Sequence, residues 1–248
     1  MPTDKEKQGT DPLGGWLSSC FSDAAWIEQA HQRFRNDPAR LLIVDDALAP
    51  GRYQLLSNAM RNDCDWETRS GVIRRSKEGR RASPQRTEWV DTTTFAGAQP
   101  AEQFFQHEAF VRARPGHEMS PGMIGLVRFK ALLNNPAFLD MLGRITGVRP
   151  QGLQELLIRR MVRGDMAKPH DDAIGDRVFC LLLYFSDGWQ PTYDGRFIMH
   201  VPDGERIVDP LPNRMVLFDV NAGLMHSVRP LDTAPLDWHR YNFSIWFT

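Results

Sequence analysis

The stretch RYNFSIWF, residues 240–247, is the part of the sequence that most restricts the fold. Alternate side chains of an extended strand point to opposite faces. One face of this strand would carry Arg240, Asn242, Ser244 and Trp246. The other face would carry Tyr241, Phe243, Ile245 and Phe247. A wholly apolar face opposite a face that includes a charge is typical of a barrel strand lining a polar ligand cavity. An edge strand with one face in solvent would give the same alternation, so this stretch alone leaves both interpretations open.

From about residue 154 onwards the chain consists of short apolar runs separated by Gly and Pro clusters. These runs are ELLIRRMV, RVFCLLLYF, RFIMHV, RMVLFDV, LMHSVRPL and HRYNFSIWF. Many short strands with turn residues between them are typical of an antiparallel sandwich or barrel. We therefore predict a mainly β fold with flanking helices.

The first part of the chain has a mixed pattern. FSDAAWIEQAHQRFRN predicts a helix with Ser22 as its N-cap, RLLIVDDALAP a short buried strand, and PGRYQLLSNAMRND a second helix. AEQFFQHEAFVRAR and GMIGLVRFKALLNNPAFLDMLGRITG also predict helices, the second broken at Pro136. Residues 67–100, which include the Arg-rich RRSKEGRRASPQR, predict a loop.

Length and composition favour one domain. The 248 residues, 42% of them apolar, can enclose a pocket. We expect a single domain over 1–248, with a flexible tail at 1–15, a helical and loop region at 16–153 and the strand-rich core at 154–248. A net charge of −1 gives no global attraction to nucleic acid or to an anionic membrane. Three scattered cysteines, a polar N-terminus and no long apolar run predict a cytoplasmic protein without a disulfide framework or membrane span.

The stretch KPHDDAIGDR, residues 168–177, places one histidine and two aspartates side by side. An ordinary turn would also use these residues. If the segment is extended, His170 and Asp172 project to the same side and Asp171 points away. An imidazole and a carboxylate on one side are two of the three ligands of a facial triad for Fe(II), and a second histidine is required. The downstream candidates are His200, His226 and His239, of which His226 in MHSVRPL is favoured because it would lie beside the strand of Arg240.

With His226 included, the sequence resembles the Fe(II)- and 2-oxoglutarate-dependent dioxygenases, in particular their prolyl-4-hydroxylase-like branch. The resemblance rests on PHDDAIGDRVFCLLLYF, MHSVRPL and RYNFSIWF, and LLIVDDALAPGRYQLLSNAM is similar to the opening strand and helix of such enzymes. It implies a double-stranded β-helix, or jelly-roll, core with helices packed on it. It also implies Fe(II), 2-oxoglutarate as co-substrate, and O₂.

The resemblance assigns a role to six residues. His170, Asp172 and His226 match the metal ligands. Arg240 matches the basic residue that pairs with the distal carboxylate of 2-oxoglutarate, and Ser244 and Tyr184 match hydroxyl groups that reach the same carboxylate. The implied reaction is hydroxylation of an unactivated C–H bond, with desaturation and ring formation as other outcomes of the same site.

One choice within the site stays open at this point. Fourteen positions separate His226 from Arg240 (240 minus 226), a long interval, with LDTAPLDW predicted to loop out between the two strands. Arg229 therefore competes with Arg240 as the anchor of 2-oxoglutarate, although its odd offset from His226 turns it to the opposite face. The remaining histidines, His107 among them, are expected to be packing or surface residues.

The substrate has no diagnostic motif. Arg81 and Arg86 would suit a carboxylate or phosphate, which favours a small amino-acid-like or natural-product substrate. The alternatives are hydroxylation of a protein side chain, as in prolyl hydroxylases, then a nucleic-acid-repair dioxygenase, and then a cupin-like binding protein without turnover. Trp246 stands where the repair enzymes have a second arginine, so nucleic acid is not the expected partner.

Overall fold

The computed structural model describes residues 13, 15–73 and 87–248. Within this part of the chain, five helices are present: α1 Ala24–Asn36, α2 Pro50–Asn62, α3 Thr92–Gly97, α4 Pro121–Leu132 and α5 Pro136–Thr146. The first strands are β1 Leu41–Val44, β2 Cys64–Val72, β3 Glu88–Val90 and β4 Gln103–Ala113. The strands of the second half are β5 Leu153–Met161, β6 Met166–His170, β7 Phe179–Tyr184, β8 Phe197–Val201, β9 Gly204–Val208, β10 Met215–Asp219, β11 Met225–Val228 and β12 Arg240–Phe247.

Local capping explains where the predicted helices begin. The break at Pro136 is confirmed, because Asn135 accepts a hydrogen bond from Ala137 N and starts α5 with proline at its first position. The prediction that Ser22 caps α1 is wrong. Asp23 is the cap, and its carboxylate accepts hydrogen bonds from the backbone of Ala25 and Trp26. A carboxylate at the N-terminus of a helix also interacts favourably with the helix dipole.

The strands form one strongly curved antiparallel sheet. Its order is β1-β10-β7-β12-β5-β4-β6-β11-β8-β9, with β2 pairing to β4 and β3. In this spatial order, β1, β10, β7, β12 and β5 make one wall of the sheet. The facing wall consists of β4, β6, β11, β8 and β9, and the interior between the two walls is a half-open barrel. This architecture confirms the mainly β fold with a jelly-roll core and flanking helices.

The predicted helix AEQFFQHEAFVRAR is wrong, since residues 103–113 form β4, the strand that links the two walls. Its Ala, Gln and Glu residues favour a helix locally, but pairing with β2, β5 and β6 decides the conformation. Alternation along β4 turns Phe105 and His107 toward the barrel interior, where both residues line the outer cavity described below.

The loop predicted over residues 67–100 is wrong in part. Residues 64–72 form β2, and residues 88–90 and 92–97 form β3 and α3. β2 pairs along its whole length with β4, which a scan of local turn residues could not detect. The Arg-rich stretch, including Arg81 and Arg86, lies outside the described residues.

The alternation predicted for β12 is confirmed. Its apolar residues belong to the large core between the sheet and the helices, where Phe243 contacts Phe129 of α4 and Phe247 contacts Phe138 of α5. Its other face lines the barrel interior. The helices therefore cover one face of the wall, and the polar face of β12 is free to build a site.

The segment between β11 and β12, residues 229–239, does leave the sheet as predicted, but it packs back onto the barrel. Leu231 and Ala234 are buried against Met161 of β5. The backbone of Leu231 is held by Gly164 and by Asp165, and Arg163 donates a hydrogen bond to the carbonyl of Ala234. This segment closes the end of the barrel where Arg240 lies.

Candidate metal and co-substrate site

The structure brings together the three predicted metal ligands. One ligand atom from each of His170, Asp172 and His226 lies within 4.8 Å of the others. His170 and His226 face each other directly across the β6–β11 pair, and their ring centroids are 4.3 Å apart. Asp172, two residues beyond His170, places Oδ2 3.3 Å from Nε2 of His226. His200 instead contacts Ser227, and His239 lies edge-to-face with Tyr241, so neither joins the cluster.

Neighbouring groups orient two of these three residues, His170 and Asp172. Nδ1 of His170 donates a hydrogen bond to the carbonyl of Lys168 at 2.6 Å. Because a carbonyl only accepts, the proton is on Nδ1 and the lone pair of Nε2 points into the cluster. The indole of Trp246 donates to Oδ2 of Asp172 at 2.9 Å. A fixed tautomer and a fixed carboxylate are what a preorganised metal site needs.

The ionisation states also suit metal binding. Burial, reinforced by the neighbouring His226, lowers the pKa of His170 to about 4, so its imidazole is neutral near pH 7. Burial disfavours the charged form of Asp172, but the two imidazoles and the Trp246 hydrogen bond outweigh it and hold the pKa of Asp172 well below its usual range. Two imidazoles and one carboxylate on one side of a cavity are the donor set of an Fe(II) facial triad.

The three clustered residues line a chamber inside the barrel, together with Leu182, Phe197 and Asn242. Arg240 lies deeper in this inner chamber and is 2% exposed. It donates through Nη1 to Oδ1 of Asn242 at 2.7 Å, while its Nε has no hydrogen-bond partner. No acidic side chain in the described part of the chain forms an ion pair with it. A buried guanidinium without a counter-charge is costly, and a carboxylate ligand would supply that charge. Gly195 leaves space for the Arg240 side chain, because a Cβ at position 195 would lie 3.2 Å from Cδ of Arg240.

Two hydroxyl groups accompany Arg240. The Tyr184 ring lies beside the guanidinium, with 4.9 Å from Cζ of Arg240 to the ring centroid, and the buried phenol has no hydrogen-bond partner. Burial raises the pKa of Tyr184 to about 12, so the phenol stays a donor at neutral pH. Ser244 accepts a hydrogen bond from Asn242, which leaves its own O–H free to donate. The phenol of Tyr184, the hydroxyl of Ser244 and the guanidinium of Arg240 could together bind the distal carboxylate of 2-oxoglutarate.

The structure places Arg229 and Arg240, the two candidate anchors of 2-oxoglutarate, in different surroundings. Arg229 forms an ion pair with Glu205 at 3.0 Å on the outside of the sheet, where its side chain is 38% exposed. Asp171 is also outside the cluster of metal ligands, as predicted from alternation, and it lines the outer cavity instead. Of these two candidates, Arg240 is therefore the one that the fold places in the chamber.

Three residues of the site were not identified from the sequence. Trp246 was assigned to the polar face of β12, but its hydrogen bond to Asp172 needs the tertiary structure. His107 was expected to be a packing residue because its strand was predicted as a helix. Arg159 lies in the predicted strand ELLIRRMV opposite Asn242, and this pairing turns it into the chamber.

An outer cavity of about 300 Å³ opens above the metal cluster. His107, Arg159, Ala167, His170, Asp172 and Trp246 line both this cavity and the inner chamber. The remaining wall has an apolar part, formed by Trp89, Phe104, Phe105, Leu157 and Ile174, and a polar part, formed by Thr87, Glu155, Asp171 and Arg177. A pocket of this size beside the open side of a metal triad is where a primary substrate would lie.

Comparisons with known proteins agree with this geometry. Residues 156–248 match the family model described as the 2OG-Fe(II) oxygenase superfamily. The prolyl 3,4-dihydroxylase OGFOD1 of Ostreococcus tauri is 29% identical over 135 residues, which are 49% of this chain and 26% of that protein. The chain thus spans about a quarter of the length of this curated relative.

Solved structures show the same fold over most of the chain. A prolyl-4-hydroxylase of Pseudomonas putida superposes with a TM-score of 0.54 at 19% identity, covering 89% of this chain and 97% of that one. A prolyl hydroxylase of Trichoplax adhaerens, in complex with a hypoxia inducible factor peptide fragment, gives a TM-score of 0.53 at 12% identity, covering 93% and 95%. Residues 156–248 therefore resemble the 2OG-Fe(II) oxygenase superfamily, and the chain shares its fold with prolyl hydroxylases of known structure.

Proposed function

We propose that this protein is a mononuclear Fe(II)- and 2-oxoglutarate-dependent dioxygenase that hydroxylates an unactivated C–H bond. The observation that carries the proposal is the pairing of a facial triad with a buried, unpaired Arg240 in the same chamber. A cupin-like binding protein would have no need for an unneutralised guanidinium at this position, so the non-catalytic alternative leaves Arg240 unexplained.

In this proposal the chain's residues hold and orient the reactants. His170, Asp172 and His226 hold the iron, and Arg240 with Tyr184 and Ser244 binds the distal carboxylate of 2-oxoglutarate. Iron held there would supply, together with 2-oxoglutarate and O₂, the oxidising power for the hydroxylation, with succinate and CO₂ as the products of 2-oxoglutarate. Leu182 and Phe197 line the chamber and limit the entry of water.

For the substrate, the comparisons support a proline ring. The relatives named above are prolyl hydroxylases, and one of these structures carries a peptide. We therefore propose a prolyl side chain of a protein or peptide as the first candidate. A small amino-acid-like substrate is the second candidate, favoured by the unpaired Arg159 in the wall of the outer cavity. Nucleic acid is not proposed as a partner, and none of the described helices is long and apolar enough to cross a membrane.

Product analysis tests this proposal. The purified protein, supplied with Fe(II), 2-oxoglutarate and O₂, is incubated with proline-containing peptides and with small amino acids. We expect succinate to form in every incubation and to form faster with a true substrate, whose mass increases by one oxygen atom. If 2-oxoglutarate is not consumed under any of these conditions, the proposed activity is wrong.

A further inference from the structure

Arg159 is a second buried arginine of the barrel interior. On β5 it lies opposite Asn242, whereas Met161 lies opposite Arg240. Two residues along a strand span about 7 Å, so Arg159 is one inward-facing position nearer the mouth of the barrel than the Arg240 level. Its Nε is buried and has no hydrogen-bond partner. The chamber therefore contains two guanidinium groups, each with a buried Nε that has no hydrogen-bond partner.

No acidic group in the described part of the chain neutralises Arg159. Asp172 is near enough to interact with it electrostatically, but its carboxylate accepts from Trp246 and faces His226. Glu155, on the same strand, pairs with Arg177 at 2.6 Å. Arg240, which has the same sign of charge, also acts on Arg159. A buried cation with these neighbours favours an additional anion.

His107 adds a second unpaired group beside Arg159. β4 and β5 pair at Ala109 and Arg159, and His107 is the next inward-facing residue of β4. Its Nε2 is buried without a hydrogen-bond partner. Burial, followed by the charge of Arg159, lowers the pKa of His107 well below its usual value, so the imidazole is neutral and can donate one N–H.

Both residues face the cavity into which a substrate would enter. His107 and Arg159 line the outer cavity together with the aromatic residues Trp89, Phe104 and Phe105. Arg159 also lies over the Trp246 ring, with 5.6 Å from Cζ to the ring centroid, and that indole is hydrogen-bonded to Asp172. An anion bound here would be next to the metal cluster, with an apolar wall for the rest of the molecule.

From these observations we infer that the primary substrate carries a carboxylate, which Arg159 and His107 bind while its apolar part packs against Trp89, Phe104 and Phe105. This inference rests on the proposed dioxygenase function and defines the substrate class of the same site. The carboxylate belongs either to a small acid or to the C-terminus of a peptide. Among the prolyl substrates proposed above, the inference therefore favours a proline at the C-terminus, because an internal proline, with both neighbours in amide bonds, brings no carboxylate of its own to Arg159.

Matched acids and amides test the inference by binding alone. The full chain is loaded with Mn(II) and 2-oxoglutarate, which prevents turnover, and titrated by calorimetry. The probes are phenylacetate and phenylacetamide, L-proline and L-prolinamide, and a short peptide ending in proline as the acid or the amide. We expect the acid to bind at least about tenfold more tightly in one or more pairs, since a charge-assisted hydrogen bond is lost in the amide. The pair that responds identifies the source of the carboxylate.

Variants then assign the preference to Arg159. R159Q should abolish the acid preference, while the affinity for the amides and for 2-oxoglutarate changes less than about threefold. R160Q is the matched control, because Arg160 is the adjacent residue on the outer face, paired with Glu108 and placed over Trp66. It should leave all affinities unchanged. R159K keeps the charge without the planar fork and should retain part of the preference, which gives a result even if R159Q does not fold.

Three results would overturn the inference. In the first, no acid binds more tightly than its amide. In the second, the preference survives in R159Q, or is undiminished in R159K when R159Q does not fold. In the third, R159Q weakens 2-oxoglutarate binding by about tenfold or more, which would assign Arg159 to the co-substrate. Failure of the wild-type protein to bind Mn(II) and 2-oxoglutarate at all would instead count against the proposed function.

Discussion

Replacement of Arg240 by methionine should weaken the binding of 2-oxoglutarate without destabilising the ligand-free protein. Arg240 is buried, has no acidic partner in the described chain, and is surrounded by the unpaired phenol of Tyr184 and the free hydroxyl of Ser244. Removing one partner of a buried, hydrogen-bonded charge pair costs about 2 to 5 kcal/mol. At ~1.4 kcal/mol per factor of ten, the affinity for 2-oxoglutarate should fall by at least about 30-fold.

The same substitution should not destabilise the protein without ligands. Methionine has a similar length and no charge to desolvate, and replacing an unpaired buried cation by an apolar side chain is often neutral or stabilising. Thermal unfolding of R240M without 2-oxoglutarate should therefore occur at or above the wild-type temperature. Lysine at position 240 should restore only part of the affinity, since a point charge cannot form two parallel hydrogen bonds.

Arg229 supplies the control. Its exposed ion pair with Glu205 is worth about 0 to 1 kcal/mol, so R229Q should leave 2-oxoglutarate binding nearly unchanged. Calorimetric titration of 2-oxoglutarate against the Mn(II)-loaded wild type, R240M, R240K and R229Q makes the comparison. Normal binding by R240M, or a large defect in R229Q alone, would refute this account of the chamber.

Further predictions concern the metal cluster and one buried carboxyl. W246F removes the indole hydrogen bond to Asp172 and should weaken metal binding by about tenfold or more in a metal titration, whereas an unchanged affinity would show that the bond positions nothing. D172G should abolish the turnover of 2-oxoglutarate, and D171A should preserve most of it. If succinate formation instead survives in D172G and is lost in D171A, Asp171 and not Asp172 would be the metal ligand. Burial raises the pKa of Asp165 to about 6, so this group favours the folded state at low pH and loses that contribution as pH rises through 6. D165N should therefore gain melting temperature relative to wild type from pH 4.5 to 7.5, and a constant difference across that range would contradict the assignment.

The sequence predicts the site residues that depend on alternation within one strand. His170, Arg240 and Ser244 lie on the chamber side because a two-residue period fixes which face of a strand each occupies. Asp172 follows the end of β6 but still projects to the side of His170, as the same period predicts for an extended segment. The same rule favours Arg240 over Arg229 as the anchor, but the choice needed the structure, which pairs Arg229 with Glu205. The break between α4 and α5 is equally local, because Pro136 follows the capping residue Asn135.

The features that the sequence does not predict depend on pairing between distant segments. β4 has the composition of a helix, and only its pairing with β2 makes it a strand, so the inward orientation of His107 could not be assigned. The role of Arg159 follows from its register against Asn242. The bond from Trp246 to Asp172 joins residues 74 positions apart. Leu231 and Ala234 belong to a segment with loop composition, yet they close the end of the barrel.

The central claim is that His170, Asp172 and His226 form one Fe(II) site that drives turnover of 2-oxoglutarate. The most direct test is anaerobic titration of Fe(II) into the metal-free protein, followed by addition of 2-oxoglutarate and O₂ and measurement of succinate. We predict one Fe(II) per chain and one succinate per 2-oxoglutarate in the wild type, with both lost in H170A and H226A. Stoichiometric iron binding and succinate formation that persist in both variants would contradict the claim.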